Sequence, residues 1–369
     1  MTTQRLTAVV QGLPATVPFV GPEAQERARG RKFRARIGAN ESVFGPSPRA
    51  VEAMRDAVGE AWKYCDPENH DLKHALAARH GVAPENIVVG EGIDGLLGYA
   101  VRLFVEPGVT VATSLGAYPT FNFHVAGYGG RLVTAPYRDD HEDPEALVAL
   151  AARADARLLF FANPDNPMGS WWDCASVQRL IDSIPEGCVL CLDEAYGDFV
   201  PPGTPPPIDV SNPRVLRFRT FSKAHGLAGA RVGYAIGEAE LIKSFDKIRN
   251  HFGVNRIAQA GALASLSDEA HLASVVSRVA AARERIAAIA RANGCKALPS
   301  AANFVTVDCR RDGSFARRVL SELIARDIFV RMPWVAPLDR CIRVGAGLEP
   351  DLDAFEEAFP EALEVAAGS

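Results

Sequence analysis

A serine, a lysine and an arginine lie close together near the middle of the chain. Ser222 and Lys223 follow the apolar run 215–218, and Arg231 stands before the next apolar run, 232–236. A lysine amine can form a Schiff base with a carbonyl compound, and a hydroxyl with a guanidinium can hold a phosphate. The alternative interpretation is a surface loop with two solvated cations, and this segment alone does not decide between them.

Carboxylate and amide side chains follow two further apolar runs. Asp193 and Tyr196 come directly after the run 188–192, and Asn166 lies in the turn-forming segment 163–169. α/β enzymes place their ligands at the carboxyl ends of sheet strands, and a carboxylate beside a pyridine nitrogen keeps that nitrogen protonated. An ordinary helix N-cap explains the aspartate equally well, and turn chemistry explains the asparagine.

A glycine-rich segment, 90–95, joins the apolar run 87–89 to a helical pattern and contains Ile93 and Asp94. Such strand-to-helix turns expose backbone N–H groups that can bind an anion. The segment is neither a G-x-G-x-x-G fingerprint nor a P-loop, so it is a weak signal by itself.

Apolar runs and helical patterns alternate through the first two thirds of the chain. Strands are predicted at 87–89, 109–112, 158–161, 188–192, 215–218 and 232–236. Helical spacing is found at 51–61, 72–80, 95–104, 144–154 and 174–183. This alternation predicts an α/β fold with a mostly parallel, doubly wound sheet.

After about residue 244 the pattern changes. Ala-rich helical segments at 258–265 and 269–292 precede a strand, helix, strand, strand order, which predicts a smaller α+β domain. We therefore divide the chain into an N-terminal arm or small-domain segment (1–40), a large domain (41–245) and a small C-terminal domain (246–369).

The composition argues against several classes of partner. The chain has 369 residues, is 48% hydrophobic and carries a formal net charge of −5 without a polybasic segment. We therefore expect a small-molecule ligand, and neither nucleic acid nor a membrane. The N-terminal segment lacks the apolar run of an export signal, so we expect a cytoplasmic location.

The cysteines and histidines do not predict a metal site. Cys188 and Cys191 have CxxC spacing, but residues three apart in a strand point to opposite faces, so their thiols would not meet. No second CxxC and no HExxH motif accompany them. Reduced thiols in the cytosol are the simplest expectation for the seven cysteines.

Taken together and in this order, the motifs resemble those of the fold-type I pyridoxal-phosphate (PLP) aminotransferases, and within them the histidinol-phosphate aminotransferase-like group. The matching segments span nearly the whole chain and are 39–41, 45–48, 64–67, 163–169, 193–196, 222–234, 254–255, 258–259 and Arg343. The resemblance implies a large domain with a mostly parallel seven-stranded sheet between helices, plus a smaller α+β C-terminal domain.

The resemblance also implies a role at the cofactor for each matching residue. Lys223 would hold PLP as a Schiff base and later shuttle a proton, and Asp193 would pair with the pyridine nitrogen. Tyr196 and Asn166 would bind the 3′ oxygen, and Tyr118 would stack on the ring. The phosphate would be held by Ser222, by Arg231, by the backbone at Ile93 and Asp94, and by Tyr64 of a neighbouring subunit, which implies a homodimer with shared active sites.

For the substrate, the resemblance implies that Arg343 clamps the α-carboxylate, that Arg331 binds a phosphate and that Asn40 lies at the same site. The alternative for Arg331 is a surface or interface salt bridge. Asp165 and Met168 replace an asparagine and a threonine that are usual in the family. These departures concern the substrate pocket rather than the cofactor residues.

The function implied is ping-pong transamination, from histidinol phosphate or an aromatic-like amino acid to 2-oxoglutarate. One alternative is a PLP-dependent decarboxylase or lyase of the threonine-phosphate decarboxylase type, which has similar lysine and aspartate motifs. A non-catalytic binding module on the same fold is disfavoured, because all the cofactor residues are present.

Overall fold

The structure is a computed structural model that describes residues 5–15 and 19–368. Its strands are β1 (Ala35–Arg36), β2 (Ile87–Gly90), β3 (Thr110–Ser114), β4 (Arg131–Ala135), β5 (Leu158–Ala162), β6 (Val189–Asp193), β7 (Val215–Thr220), β8 (Gly233–Ile236), β9 (Lys296–Ala297), β10 (Phe304–Asp308), β11 (Ile328–Phe329) and β12 (Cys341–Gly345).

The α-helices in the same part of the chain are α1 (Ala8–Gln11), α2 (Pro22–Arg29), α3 (Pro48–Val58), α4 (His70–His80), α5 (Gly92–Phe104), α6 (Pro119–Gly127), α7 (Pro144–Arg153), α8 (Cys174–Asp182), α9 (Ala239–Ser244), α10 (Arg256–Leu266), α11 (Glu269–Ala292), α12 (Gly313–Ala325) and α13 (Glu349–Gly368).

Seven strands form the main sheet, in the order β2-β8-β7-β6-β5-β3-β4. Neighbouring strands are parallel, except that β8 runs antiparallel to both β2 and β7. The predicted mostly parallel seven-stranded sheet is therefore confirmed.

The antiparallel direction of β8 determines which residues meet at one edge of this sheet. Gly233, the first residue of β8, pairs with Gly90 at the end of β2 and with Thr220 at the end of β7. The segments that follow β2 and β7 therefore lie beside the segment that precedes β8. The carboxyl ends of β5 and β6 lie at the same edge, because these strands are parallel to β7.

Helices cover both faces of the sheet. Apolar side chains of α5 and α6 pack on one face in a cluster that includes Phe160 and Cys191. Side chains of α7 and α8 pack on the other face with Phe161 and Cys188. The predicted separation of Cys188 and Cys191 is confirmed, and all seven cysteines are free thiols.

The C-terminal part of the chain builds a second, antiparallel sheet, in the order β12-β10-β9. Helices α11, α12 and α13 bury their apolar faces in one cluster with it. The segment before residue 40 joins this part through β1, since Ala35 pairs in parallel with Ile328. The division into segments 1–40, 41–245 and 246–369 stays a prediction.

None of the helices in the described part of the chain has the length and apolar character that a membrane crossing requires. Within residues 5–15 and 19–368, no group of three or more His, Cys, Asp or Glu side chains is arranged to hold a metal ion.

Candidate active site

Gly92, Ser222 and Arg231 meet where β2, β7 and β8 adjoin, and we call these three residues the anion corner. Strand β8 pairs with β2 on one side and with β7 on the other. If each pairing is continued by two residues beyond Gly233, Arg231 lies opposite Gly92 on the β2 side and opposite Ser222 on the β7 side. A Cβ atom at Gly92 would lie 2.7 Å from Nη2 of Arg231. The backbone of Arg231 is left-handed, with φ of 57°, as a sharp turn into β8 requires. The Arg231 guanidinium therefore faces a backbone without a side chain, and the Ser222 hydroxyl, on the neighbouring segment, contacts Oγ1 of Thr220 at 3.0 Å.

The first turn of α5 adds backbone N–H groups to the anion corner. Ile93 and Asp94 follow Gly92 in this turn, and N–H groups of a first turn have no acceptor within the helix and attract anions. The backbone N of Ile93 lies close to Gly233, where an added Cβ would be 2.7 Å away. The carboxylate of Asp94 contacts Nε2 of His124 at 2.9 Å. The structure thus brings together the residues of this chain that were predicted to bind a phosphate.

Lys223 lies beside the anion corner, in the loop after β7. Its Nζ donates a hydrogen bond to the main-chain carbonyl of Asn40 at 2.9 Å and lies 5.5 Å from the centre of the Tyr196 ring. Burial, together with the positive charges of Arg343 and Arg231, lowers the pKa of Lys223 to about 8. A substantial share of this amine is neutral near pH 7–8, so it can act as a nucleophile and as a base.

Asp193 is the last residue of β6 and its side chain is buried. Its Oδ1 accepts a hydrogen bond from the backbone N–H of Ala195 at 2.9 Å. Burial raises the pKa of Asp193 to about 7, against the opposing effects of that N–H group and of the Lys223 charge. A cationic ligand group would lower this pKa again, so the site favours a ligand with a protonated nitrogen.

Tyr196 and Asn40 form a buried hydrogen-bonded pair in which Nδ2 of Asn40 donates to the tyrosine hydroxyl at 2.9 Å. Oδ1 of Asn40 is buried and has no hydrogen-bond partner. Tyr118, just before α6, completes this side of the site. Burial raises its pKa to about 12, with smaller effects from a hydrogen bond with Thr120 and from the charges of Asp94, Asp193 and Arg231.

Asn166 and Arg343 are in direct contact, because Nη1 of Arg343 donates to Oδ1 of Asn166. Nη2 of Arg343 donates to the carbonyl of Gly38 at 3.3 Å, and its Nε is buried without a partner. Burial lowers the pKa of Arg343. A buried guanidinium with a free donor favours an anionic ligand.

Arg331 lies next to Arg343 through reciprocal backbone hydrogen bonds of 3.2 and 2.6 Å. Its guanidinium donates to the carbonyl of Val20 and lies 3.7 Å from the centre of the Phe19 ring. Burial and the charge of Arg343 lower the pKa of Arg331 to about 10. The contacts of the two guanidinium groups among the described residues are carbonyl oxygens, an amide and aromatic rings, not carboxylates.

Tyr64 lies apart from the other predicted site residues. Its side chain is 78% exposed, and its ring lies 4.9 Å from that of Phe252, which is also exposed. Trp62 nearby is 79% exposed. An exposed position in one chain is compatible with a role in the site of a neighbouring subunit, which stays a prediction.

Two residues at the site were not predicted from the sequence. Asn303 is buried and donates from Nδ2 to the carbonyl of Asn40 at 3.1 Å, so the same oxygen accepts from Lys223 and Asn303. The ring of Phe304 packs edge-on against Tyr196 at 5.5 Å and lies 5.1 Å from the Arg343 guanidinium carbon. Their position at the start of a predicted strand gave no functional signal.

Comparison with known proteins identifies relatives along nearly the full length. A profile of the family described as aminotransferase class I and II matches residues 36–355. The chain is 32% identical over 351 residues to histidinol-phosphate aminotransferase of Moorella thermoacetica, which covers 94% of this chain and 90% of that protein. It is 36% identical over 335 residues to the enzyme of the same name from Roseiflexus castenholzii, covering 88% and 89%.

Solved structures give the same result. The structure of histidinol-phosphate aminotransferase from Sinorhizobium meliloti in complex with pyridoxal-5′-phosphate superposes with a TM-score of 0.96, at 53% sequence identity and 98% coverage of both chains. Aspartate aminotransferase from Thermus thermophilus with maleate, at 22% identity and a TM-score of 0.80, shares the fold.

Proposed function

The chain belongs to the class I and II aminotransferases, and on this premise we propose that it is a PLP-dependent aminotransferase that uses histidinol phosphate as amino donor and 2-oxoglutarate as acceptor. The observation that carries the proposal is Lys223 itself, a lysine with a lowered pKa that follows Ser222 of the anion corner and interacts electrostatically with the buried Asp193. The relatives with 53% and 32% identity are named histidinol-phosphate aminotransferases.

The site fits PLP by its own chemistry. A side chain at Gly92 would fill the space in front of the Arg231 guanidinium, so the glycine leaves room for a group such as a phosphate. The buried Oδ1 of Asn40 has no donor in the described chain. The residues proposed to hold the cofactor are Lys223, Asp193, Tyr196, Asn166, Tyr118, Ser222, Arg231, Ile93 and Asp94.

When bound, PLP supplies an electron sink that stabilises negative charge on the substrate carbon that loses a proton. We propose that Lys223 accepts this proton at Nζ and later returns it. A pKa of about 8 suits both steps, because the neutral and protonated amines are both populated near neutral pH. The Asn40 carbonyl, 2.9 Å from Nζ, orients the amine. We propose that the buried Asp193 carboxylate would keep the ring nitrogen protonated.

Arg343 and Arg331 are the proposed substrate-binding residues, with Asn40 beside them. Each arginine has a buried Nε–H without a partner, and the two main chains are hydrogen-bonded to each other. The acceptor 2-oxoglutarate carries two carboxylates and histidinol phosphate carries a phosphate. Adjacent guanidinium groups suit such anions, because each can donate two parallel hydrogen bonds.

The decarboxylase or lyase alternative is not favoured, since the full-length relatives compared above are named aminotransferases. A steady-state assay tests the choice. The protein with histidinol phosphate and 2-oxoglutarate should form glutamate, whereas threonine phosphate should release no carbon dioxide. Carbon dioxide release without glutamate formation would reverse the assignment.

We further propose a homodimer in which Tyr64 of each subunit contributes to the phosphate site of the other. The exposure of Tyr64 and Trp62 supports this arrangement. Mixed dimers of Lys223→Ala and Tyr64→Ala subunits are the test, because such a dimer has one intact site only if Tyr64 acts across subunits. Activity above the sum of the two parent dimers is expected, and an inactive mixed dimer would reject the arrangement. The cytoplasmic location stays a prediction.

A further inference from the structure

Two acids near Asn166, Glu142 and Asp165, have buried carboxyl groups. Neither belongs to the set of residues proposed to bind ligands. Glu142 and Asp165 are each 1% exposed, and their carboxyl groups lie within hydrogen-bonding reach of each other. Neither forms an ion pair with an Arg or Lys side chain among the residues that the structure describes. Two carboxylates in such a site repel each other and lose hydration.

Four donors among the described residues bind this pair. Ser114 Oγ donates to Oε2 of Glu142 at 2.7 Å, and the Ala162 N–H donates to Oε1 at 3.1 Å. Tyr137 donates its hydroxyl proton to Oδ1 of Asp165 at 2.9 Å. The Met168 N–H donates to Oδ2 at 3.0 Å.

All four carboxyl oxygens thus accept hydrogen bonds from groups other than the partner carboxyl. Ionised carboxylates are acceptors only, so a direct contact between them needs one hydrogen. Burial and the neighbouring Asp165 charge raise the pKa of Glu142 well above its usual range, and burial raises the pKa of Asp165 to about 6. The titratable groups around the pair are Tyr137 and His141, and Asp165 also interacts with the charges of Arg343 and Asp193.

The pair connects the sheet to the loop that carries Asn166. Ser114 ends β3 and Ala162 ends β5, so Glu142 is fixed to two adjacent strands. Asp165 directly precedes Asn166, and its carboxylate binds the N–H of Met168 within the same loop. Asn166 in turn accepts from Arg343.

We propose that Glu142 and Asp165 share one proton, and that this proton positions the Asn163–Gly169 loop so that Asn166 is held against Arg343. The two acids are positioning residues, because neither is placed to contact substrate or cofactor. The inference rests on the proposed function only for the roles of Asn166 and Arg343. An asparagine, which is usual in the family at the position of Asp165, could donate a hydrogen bond to Glu142 with no shared proton.

Two amide variants separate the shared proton from a general packing role. In Glu142→Gln the oxygen can keep the Ala162 N–H bond and the amide N–H can donate to Asp165, while the Ser114 hydroxyl rotates to accept. In Asp165→Asn the new amide N–H can likewise donate to Glu142, so that it supplies the hydrogen that the two carboxyl groups would otherwise share. Asp143→Asn is the matched control, because this neighbouring residue is a helix N-cap where asparagine serves as well as aspartate.

The first readout is the infrared spectrum of the apoprotein at neutral pH, where a protonated carboxyl has a C=O stretch distinct from that of a carboxylate. The difference between the wild type and Glu142→Gln should contain one protonated carboxyl, and the difference between the wild type and Asp143→Asn should contain none. Asp193 can add its own band, but that band cancels in these differences. A difference spectrum without a protonated carboxyl would overturn the proposal, whatever the enzyme's reaction proves to be.

The second readout is pH dependence. The folded pair binds a proton that the unfolded chain releases above the usual carboxyl pKa of 4.5. The unfolding free energy of the wild type should therefore fall with rising pH relative to that of Glu142→Gln. When the proton leaves, KM for 2-oxoglutarate should rise about tenfold, the size of one lost hydrogen bond to a charged group, with kcat less affected. Glu142→Gln should lack this rise, and identical KM profiles for the two proteins would contradict the positioning role.

Discussion

The ε-amino group of Lys223 donates a hydrogen bond to the main-chain carbonyl of Asn40, 183 positions earlier in the chain and 2.9 Å away. The backbone of Asn40 is left-handed, with φ of 57°, and its side chain donates to Tyr196. One residue near the N-terminal segment thus contacts both the lysine after β7 and the tyrosine after β6. This hydrogen bond orients the amine, whose pKa is lowered.

Replacing Lys223 by alanine should abolish transamination while the fold persists. Lys223 as a residue is only partly buried and its amine hydrogen-bonds to a backbone carbonyl, whose other donor, Asn303, remains in the variant. Turnover and the far-ultraviolet circular dichroism spectrum measure the two expectations. Near-normal turnover in Lys223→Ala would show that the reaction does not need this lysine.

The pKa of Lys223 can be measured without the cofactor. An amine-reactive reagent labels the neutral form only, so labelling of Lys223 in the apoprotein should increase as pH rises through about 8 and then level off. An ordinary lysine would level off near pH ~10.4. Labelling of Lys223→Ala under the same conditions supplies the background. A midpoint at the ordinary value would show that burial and the two arginines do not act on this amine.

Gly92→Ala should weaken PLP binding. The new Cβ would lie 2.7 Å from the Arg231 guanidinium, and φ of +74° strains any residue with a Cβ. Gly95→Ala is the matched control, because its Cβ meets only ordinary contacts at 3.4 Å inside the same helix. Titration of both apoproteins with PLP should show a higher Kd for Gly92→Ala alone. Equal affinities would mean that the anion corner does not bind the phosphate.

Substitutions of Arg331 and Arg343 should affect binding of anionic substrates. A lost hydrogen bond between charged groups costs about 1.5–3 kcal/mol, so kcat/KM should fall roughly 10- to 150-fold for either arginine changed to glutamine. Comparing kcat/KM for histidinol phosphate with kcat/KM for histidinol, which lacks the phosphate, identifies the arginine that binds this group. That variant should lose the preference for the phosphorylated donor. An unchanged preference in both variants would place the phosphate elsewhere.

Local sequence was sufficient for elements with strong periodicity and clear ends. The helix predicted at 269–292 has these bounds in the structure, because Asp268 caps its start and its residues favour helix. Strand β4 (Arg131–Ala135) was missed, because it is an edge strand with partly exposed side chains and a short alternating pattern.

The direction of β8 could not be read from its residues. Its apolar run indicates a strand, but whether a strand is parallel depends on how the preceding loop returns the chain. This direction matters for the site, since it brings Arg231 to Gly92 and Ser222. The motifs therefore identified the residues of the anion corner, but not the reason that they meet.

Residues that act through long-range packing gave no sequence signal. Glu142 lies in a polar segment that is typical of a loop, and its burial follows from contacts with β3 and β5. Asn303 is likewise defined by its contact with Asn40, far away in sequence. Arg331 was predicted, but only the structure places it beside Arg343 with a free Nε–H group.

The visible absorption spectrum of the PLP-loaded protein during a single half-reaction tests the central claim most directly. We expect a yellow cofactor band in the wild type that disappears when histidinol phosphate is added without an acceptor and returns when 2-oxoglutarate follows. Lys223→Ala should not complete this cycle. A wild-type protein that shows no cofactor band after incubation with PLP, or whose band neither donor nor acceptor changes, would contradict the assignment of this site to PLP-dependent transamination.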